Sequence, residues 1–280
     1  MDFISPAQIK RIASKYGFVF KKGLGQNFLS SQEVLEEIAI AAEIDGCGVI
    51  EIGPGFGVLT NELAKRAKKV VALEIDENLI PILADTLSEY ENVKIINKDV
   101  LKTDIPSLIK EEFGGEIVSI AANLPYYITT PIITTIIEAK LPIKNLVVMV
   151  QKEVADRIVA KPGSKDFGAI SVLCQYYADT EIITTVPADL FVPPPKVDSA
   201  VVKLSFRDRP AVDVKDEKIF FKTIKAGFSQ RRKTLLNCLS ANFPNDKAEL
   251  VSILESIDID PRRRGETLSL AEFAKLSDCL

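Results

Sequence analysis

The residues of this 280-residue chain best suited to chemistry are Asn123-Leu124-Pro125-Tyr126-Tyr127, the polar and aromatic tip of an apolar run that begins at Ile117. Asn123 offers an amide oxygen, Leu124 a carbonyl turned outward by the bend that Pro125 imposes, and Tyr126 a flat aromatic face. Together they suit a planar heterocycle with an exocyclic amine: the Asn123 oxygen and the Leu124 carbonyl could accept the two amine hydrogens while Tyr126 stacks on the ring. The same five residues also fit a strand end closed by a turn, with both tyrosines filling core.

A second cluster is Glu51-Ile52-Gly53-Pro54-Gly55-Phe56-Gly57, with Glu74 at the end of the following apolar run. Glycines permit a tight turn and close approach of backbone to a ligand, and an acid placed like Glu74 can hold both hydroxyls of a ribose. A dinucleotide fingerprint would need a further glycine where Val58 stands, which disfavours a nicotinamide enzyme. The pattern E-x-G-x-G-x-G instead resembles the loop of S-adenosylmethionine-dependent methyltransferases of the Rossmann-like class; a purely structural glycine turn is the alternative. Asp99 in NKDVL could accept the amine of a cofactor adenine or could equally cap a helix.

Composition narrows the chemistry. The chain has no histidine, which removes imidazole acid-base catalysis, His-dependent triads and histidine metal sites. Cys47, Cys174, Cys238 and Cys279 lie far apart with no paired spacing, arguing against a zinc cluster or disulfide framework and for a reducing cytoplasm. The net charge of −4 is not that of an average nucleic-acid binder. Basic residues nevertheless concentrate in two segments: Lys10, Arg11, Lys15, Lys21 and Lys22 near the amino end, and Lys203 to Lys233, which includes Arg231, Arg232 and Lys233. These are either solvated faces or a phosphate-binding rim. The uncharged run Ile117–Ile137 holds Asn123, Pro125 and Pro131 and suits a buried strand, a site and a helix better than lipid. No apolar stretch ahead of a cleavage site suggests secretion.

These groups need a scaffold. Ser5-Pro6 starts a helix through AQIKRIASKY; a glycine-bearing connector, KKGLGQNFLSS, follows; Ser30 and Glu33 form a capping box for the next helix. From Gly48 the pattern alternates: GVIEI, VLTNELAKRA, KVVALEI, a helix from Glu77 to Tyr90, NVKIINK, a short helix near Pro106, IVSIAAN, NLVVMVQ and KEVADRIVA. Short Val/Ile runs between helices predict a doubly wound, mostly parallel α/β sheet. TEIITTV and SAVVKLSF predict a hairpin-like antiparallel addition at one edge. From Asp216 the apolar residues recur at helical spacing only, predicting a small all-helical domain.

In order from about Lys21 to the carboxyl end, KKGLGQNFL, EIGPGFG, Glu74, the Asp99 region, NLPYYITTPII, VQKEVADRI, FVPPPKVDSAVV and FSQRRKTLLNCL closely resemble the ribosomal RNA adenine dimethyltransferase family that acts on the small subunit. The resemblance implies a class I methyltransferase fold and S-adenosylmethionine as methyl donor. It implies dimethylation of the exocyclic amine of two adjacent adenosines in the 3′-terminal hairpin loop of small-subunit RNA. It further implies that Asn27 and Leu29 lie over the methionine end of the cofactor, Gly53 and Gly55 in the loop beneath it, Glu74 on the ribose and Asp99 on the adenine. Asn123 would lie at both cofactor and target amine, and Phe191 would close on the flipped base opposite Tyr126. Without the resemblance Phe191 is a core aromatic. Lys21, Lys22, Arg231, Arg232 and Lys233 become candidate RNA contacts.

The domains expected are 1–32, an amino-terminal helix with a basic connector contacting cofactor and RNA; 33–207, the catalytic domain; and 216–280, a helical RNA-binding domain. The expected partner is ribosomal RNA within a pre-assembled small subunit, met in the cytoplasm by a monomer that needs neither metal nor membrane and takes part in subunit biogenesis. Two alternatives share the fold: a large-subunit adenine methyltransferase of the macrolide-resistance type, and a non-catalytic assembly factor.

Overall fold

The computed structural model describes residues 5–21 and 25–280. A seven-stranded sheet organises the first of two compact units. In chain order its strands are β2 (Gly48–Ile52), β3 (Lys69–Glu74), β4 (Val93–Asn97), β5 (Val118–Asn123), β6 (Ile143–Gln151), β7 (Ala178–Val186) and β9 (Ser199–Phe206), and their spatial order is β4-β3-β2-β5-β6-β9-β7. Strand β2 pairs in parallel with β3 and β5, β3 with β4, and β5 with β6; β9 runs antiparallel to β6. The strands expected from Val/Ile runs are therefore present, and the edge addition has β9 inside and β7 outermost.

Burial explains the sequence pattern. Every residue of β2 is buried, as is β3 from Val70 onward, whereas the edge strand β4 is half exposed. One face of the sheet contributes Val49, Val70, Ala121, Val147 and Val201 to a core shared with Val34, Leu35 and Ile38 of α2 (Gln32–Ala41) and Leu59 and Leu63 of α3 (Val58–Ala64). Lys203, nearly buried in β9, is neutralised by Glu43 at 2.5 Å, just past α2. The uncharged run divides into β5, the tip and α6 (Thr129–Glu138), and no helix among the described residues is long and apolar enough to cross a membrane.

Two very short strands escape any periodicity. β1 (Phe28–Leu29) pairs antiparallel with β8 (Phe191–Val192), setting Phe28 opposite Val192 and Leu29 opposite Phe191. This ties the amino-terminal connector to the loop before β9. Ser30 belongs to the same tie, its N–H and hydroxyl both donating to the Leu190 carbonyl at 2.8 Å. The cap of α2 is accordingly Ser31, whose hydroxyl accepts from Val34 N–H, and not the expected Ser30. A second correction concerns Glu77–Tyr90. Asp76 caps a single 3₁₀ turn, Glu77–Leu79, and α4 then runs only from Ile80 to Thr86.

The first unit runs to Ala155 and resumes over Glu181–Phe206; the second comprises Asp156–Thr180 and Arg207–Leu280. The second holds α8 (Ala169–Tyr177), α9 (Glu217–Gly227), α10 (Leu235–Ser240), α11 (Lys247–Ser256) and α12 (Leu270–Ser277). Residues 156–180, expected in the catalytic domain, cluster with the helical tail because their large side chains are part of its core: Phe167, Val172 and Tyr176 pack with Phe220, Leu235 and Phe273. The Tyr176 and Phe220 ring centroids are 4.8 Å apart.

Candidate active site

Parallel strands deliver their carboxyl ends to one edge of the sheet, and in such folds that edge is where ligands bind. Here β2 runs into the glycine loop, β3 ends at Glu74, and β5 ends at Asn123. A pocket at this edge is lined by Asn27, Leu29, Gly53, Gly55, Glu74, Asn123, Leu124 and Tyr126, all singled out from sequence, and also by Gln26, Glu51 and Pro54.

The glycine loop holds its shape through backbone conformation and a close approach. Gly53 and Gly55 have φ of 71° and 61°, in the left-handed region. A Cβ on Gly55 would lie 2.7 Å from the Phe28 ring, so only glycine lets the connector settle onto the loop. Phe28 in turn packs on Phe56 with centroids 4.4 Å apart, in a core that includes Ile9 and Ala13 of α1 (Pro6–Lys15). This apolar contact, together with the β1–β8 pairing, sets Asn27 and Leu29 over the pocket.

Glu74 is buried, with Oε2 accepting from Gly55 N–H at 3.2 Å and Oε1 from Asp76 N–H at 2.8 Å. Burial raises its pKa, and those two backbone donors oppose the shift. Glu51 is more extreme. Its carboxyl is fully buried, Oε2 has no hydrogen-bond partner among the described residues, and burial, reinforced by the nearby Glu74 charge, pushes its pKa to about 8. The sequence places Glu51 in the loop motif without assigning it a role. The available signal was an acid inside a strand otherwise buried throughout, where an unpaired charge is costly.

Asn123 donates from Nδ2 to the Asn27 carbonyl at 3.1 Å, which fixes the side-chain amide and leaves Oδ1 free to accept. Leu124 N–H donates to the Met149 carbonyl at 3.2 Å, and no hydrogen bond among the described residues is made to the Leu124 carbonyl. Tyr126 is half-buried, its hydroxyl 2.6 Å from Ser199 Oγ. Tyr127 is 57% exposed, so the tip is not a plain strand end with both tyrosines in the core.

Two expected site residues make other contacts within the protein. Asp99 does not line the pocket; its Oδ1 accepts from Leu101 N–H at 3.0 Å, capping a 3₁₀ turn over Val100–Lys102, which is the capping role its residue type also allowed. Phe191 is 3% exposed and packed with Leu29, Val186 and Val201, because its place in β8 directs it into the core.

The expected RNA-contacting lysines are also redistributed. Lys22 lies outside the described residues. Lys21 Nζ sits 2.8 Å from Oδ1 of buried Asp76, whose Oδ2 accepts from Gln26 Nε2 at 2.9 Å, while Lys21 N–H donates to Gln26 Oε1. Burial would raise the Asp76 pKa, but hydrogen bonds from Lys21, Asn78 and Gln26 outweigh it and hold the carboxyl below its ordinary value. Lys21 thus anchors the connector beside Glu74. In the helical unit Arg231, Arg232 and Lys233 are exposed, and Arg231 donates to the Lys165 carbonyl. The chain passage 261–264 lies against them: Leu235 N–H donates to the Arg263 carbonyl and Leu236 N–H to the Pro261 carbonyl. A Cβ on Gly265 would fall 2.4 Å from the Gly227 carbonyl oxygen, so a close backbone approach is built in. Arg264 is exposed in this passage, where Arg262 is paired with Asp260 at 2.9 Å; sequence reading passed over both although three consecutive arginines were the signal.

Comparison with known proteins bears on the family and the fold. The chain is 55% identical over its full length to the ribosomal RNA small subunit methyltransferase A of Geobacillus thermodenitrificans (strain NG80-2), covering 97% of that protein. It is 56% identical to the protein of that name from Bacillus cytotoxicus, with 100% and 97% of the two chains covered. Among solved structures, a dimethyladenosine transferase from Plasmodium falciparum superposes with a TM-score of 0.75 at 27% identity, covering 89% of this chain and 95% of that one. The 23S rRNA methyltransferase ErmE does so at 0.70 and 26%, covering 90% and 99%. The family model described as ribosomal RNA adenine dimethylase matches residues 17–276. The chain belongs to the ribosomal RNA adenine dimethylase family.

Proposed function

We propose that this protein transfers methyl groups from S-adenosylmethionine to the exocyclic amines of two adjacent adenosines in the 3′-terminal hairpin loop of small-subunit ribosomal RNA. It acts in the cytoplasm, as a monomer, on a pre-assembled small subunit. The observation that carries the reading is the tip itself, where Asn123 Oδ1 and the Leu124 carbonyl are unengaged acceptors beside the Tyr126 ring, at the mouth of a pocket holding Glu51 and Glu74.

The donor set fits the cofactor. Glu74 is placed to hold ribose hydroxyls, and the Glu51 carboxyl, whose buried Oε2 has no hydrogen-bond partner among the described residues, is a place for a cationic group such as the methionine ammonium. S-adenosylmethionine supplies an activated methyl on a sulfonium. The chain's own contribution is positioning. An adenine amine has its lone pair spread into the ring, and two acceptors binding its hydrogens favour a more tetrahedral nitrogen. Tyr126 supplies the stacking face, and the proton released from nitrogen passes to water. After the first methyl one hydrogen remains, and one acceptor suffices to orient the second transfer.

The deciding experiment incubates the protein with labelled S-adenosylmethionine and small subunits from an unmethylated strain, then maps the modified nucleotides; large subunits form the second arm. Label confined to large-subunit RNA would overturn the reading. Two variants probe the binding groups. Glu74→Ala is expected to weaken S-adenosylmethionine binding by about 1.5–3 kcal/mol in calorimetry, the range for hydrogen bonds to a charged group. Unchanged affinity would remove Glu74 from the ribose. Replacing Arg231, Arg232 and Lys233 with Ala is expected to lower RNA affinity and to flatten its dependence on log salt by roughly 0.7–0.9 for each phosphate no longer neutralised. Adding Arg264→Ala flattens it further, and an unaltered slope would identify these residues as a solvated face.

A further inference from the structure

Tyr126 is fastened at its far end by a residue that the reaction itself does not call for. Its hydroxyl lies 2.6 Å from Oγ of Ser199, which is fully buried at the first position of β9. Because β9 runs against the parallel strands, its first residue falls at the edge where they end. Ser199 stands opposite Gln151, two positions beyond Met149, the partner of Asn123. The neighbouring Asp198 fixes this end of β9: its Oδ1 accepts from Ala188 N–H and its carbonyl from Lys152 N–H, each at 3.0 Å. The near end of Tyr126 is fixed as well, since the Pro125 carbonyl accepts from Ile128 N–H at 3.2 Å and from Thr129 Oγ1 at 3.1 Å.

A phenol oxygen lies on the long axis of its ring, so a bond there sets where the axis points and prevents the side chain from swinging to another rotamer. We propose that Ser199 is a positioning residue for methyl transfer, its hydroxyl holding the Tyr126 ring as a platform formed before the target base arrives. The proposal rests on the stacking role given to Tyr126 above. A phenol is protonated at neutral pH, and burial raises its pKa further, which preserves the hydroxyl pair. Without the bond the ring must be ordered when the base enters, and that cost falls on the step after docking. Docking itself is carried by phosphate contacts elsewhere.

The test is a double-mutant cycle on Tyr126→Phe, which keeps the ring and loses only the hydroxyl, and Ser199→Ala, read with small subunits from an unmethylated strain. Each single variant is expected to lower the saturating single-turnover rate by about tenfold, the rate equivalent of one hydrogen bond, with little change in KM. The double variant is expected to be no slower than either single one. S-adenosylmethionine affinity of Tyr126→Phe should remain that of the wild type, while its Tm falls modestly because the buried Ser199 hydroxyl is left without its partner. A wild-type rate in Tyr126→Phe, or additive losses in the double variant, would overturn the proposal. If Ser199→Ala melts early, Tyr126→Phe decides alone, because it removes the same bond from the pocket side. Wild-type protein that methylates no small subunits would overturn the functional reading itself, whereas active wild type with unaffected variants overturns only the role of Ser199.

Discussion

Asn123→Ala is expected to lower single-turnover methyl transfer about a hundredfold or more, the usual cost of removing one preorganised polar group at a reacting centre. The size of the effect follows from how the amide is held. Its Nδ2 is committed to the Asn27 carbonyl at 3.1 Å, so Oδ1 would meet the incoming amine without having to reorient. RNA affinity should change little, because phosphate contacts position the substrate. Tyr126→Ala should differ in kind: losing a stacking platform worth about 1–3 kcal/mol per base weakens base capture as well as rate. A folded Asn123→Ala protein with near wild-type single-turnover rate would show that the amide oxygen does not engage the target nitrogen.

The parts of this architecture legible in the sequence were those with long-range regularity. Parallel strands buried on both faces must be apolar throughout, and GVIEI, KVVALEI and IVSIAAN announce themselves that way. The glycine loop was legible because left-handed backbone at Gly53 and Gly55 and the close Phe28 ring leave little choice of residue. What failed was short or dependent on tertiary context. Two-residue strands such as β1 and β8 have no period, so nothing in QNFL or FVPPP revealed that they pair. That pairing is also why Ser30 was mistaken for the cap of α2, since its hydroxyl is taken by Leu190.

At two positions the structure shows the contacts that the plainer physical alternative expects. Asp99 is a cap, as its preference for helix starts allowed, and Phe191 is core, as an aromatic usually is. The division of the chain was misjudged for a related reason. Helical spacing in residues 156–180 cannot say which core a helix will join, and Phe167 and Tyr176 joined the aromatic one. The site's most unusual group, Glu51, was hidden by its setting. Amid the glycines it read as part of a motif, while its burial and missing partner are properties of the folded pocket alone.

Glu51→Gln is therefore expected to stabilise the empty protein at alkaline pH and to weaken cofactor binding. In the folded chain burial pushes the carboxyl up to about 8, against about 4.5 for an ordinary glutamate, with Thr60 opposing the shift and the Glu74 charge adding to it. A carboxyl whose folded pKa is raised binds its proton more tightly folded than unfolded. Its stabilising share is thus fully present below pH 4.5 and is lost progressively as pH rises from there to about 8. The wild-type Tm should fall across that window, and Glu74, shifted the same way, adds to the slope. The neutral amide of Glu51→Gln cannot ionise, so its Tm should fall less and exceed that of the wild type at pH 8. Cofactor affinity should move oppositely. A cationic ligand favours the ionised carboxylate, so wild-type affinity should rise with pH below about 8, by at most about tenfold per unit, with proton release on binding. In Glu51→Gln the dependence should shrink and the affinity drop. Calorimetry in two buffers of different ionisation enthalpy counts the protons. A wild-type affinity that is flat from pH 6 to 8 with no proton released would show that Glu51 does not face the cationic end of the cofactor.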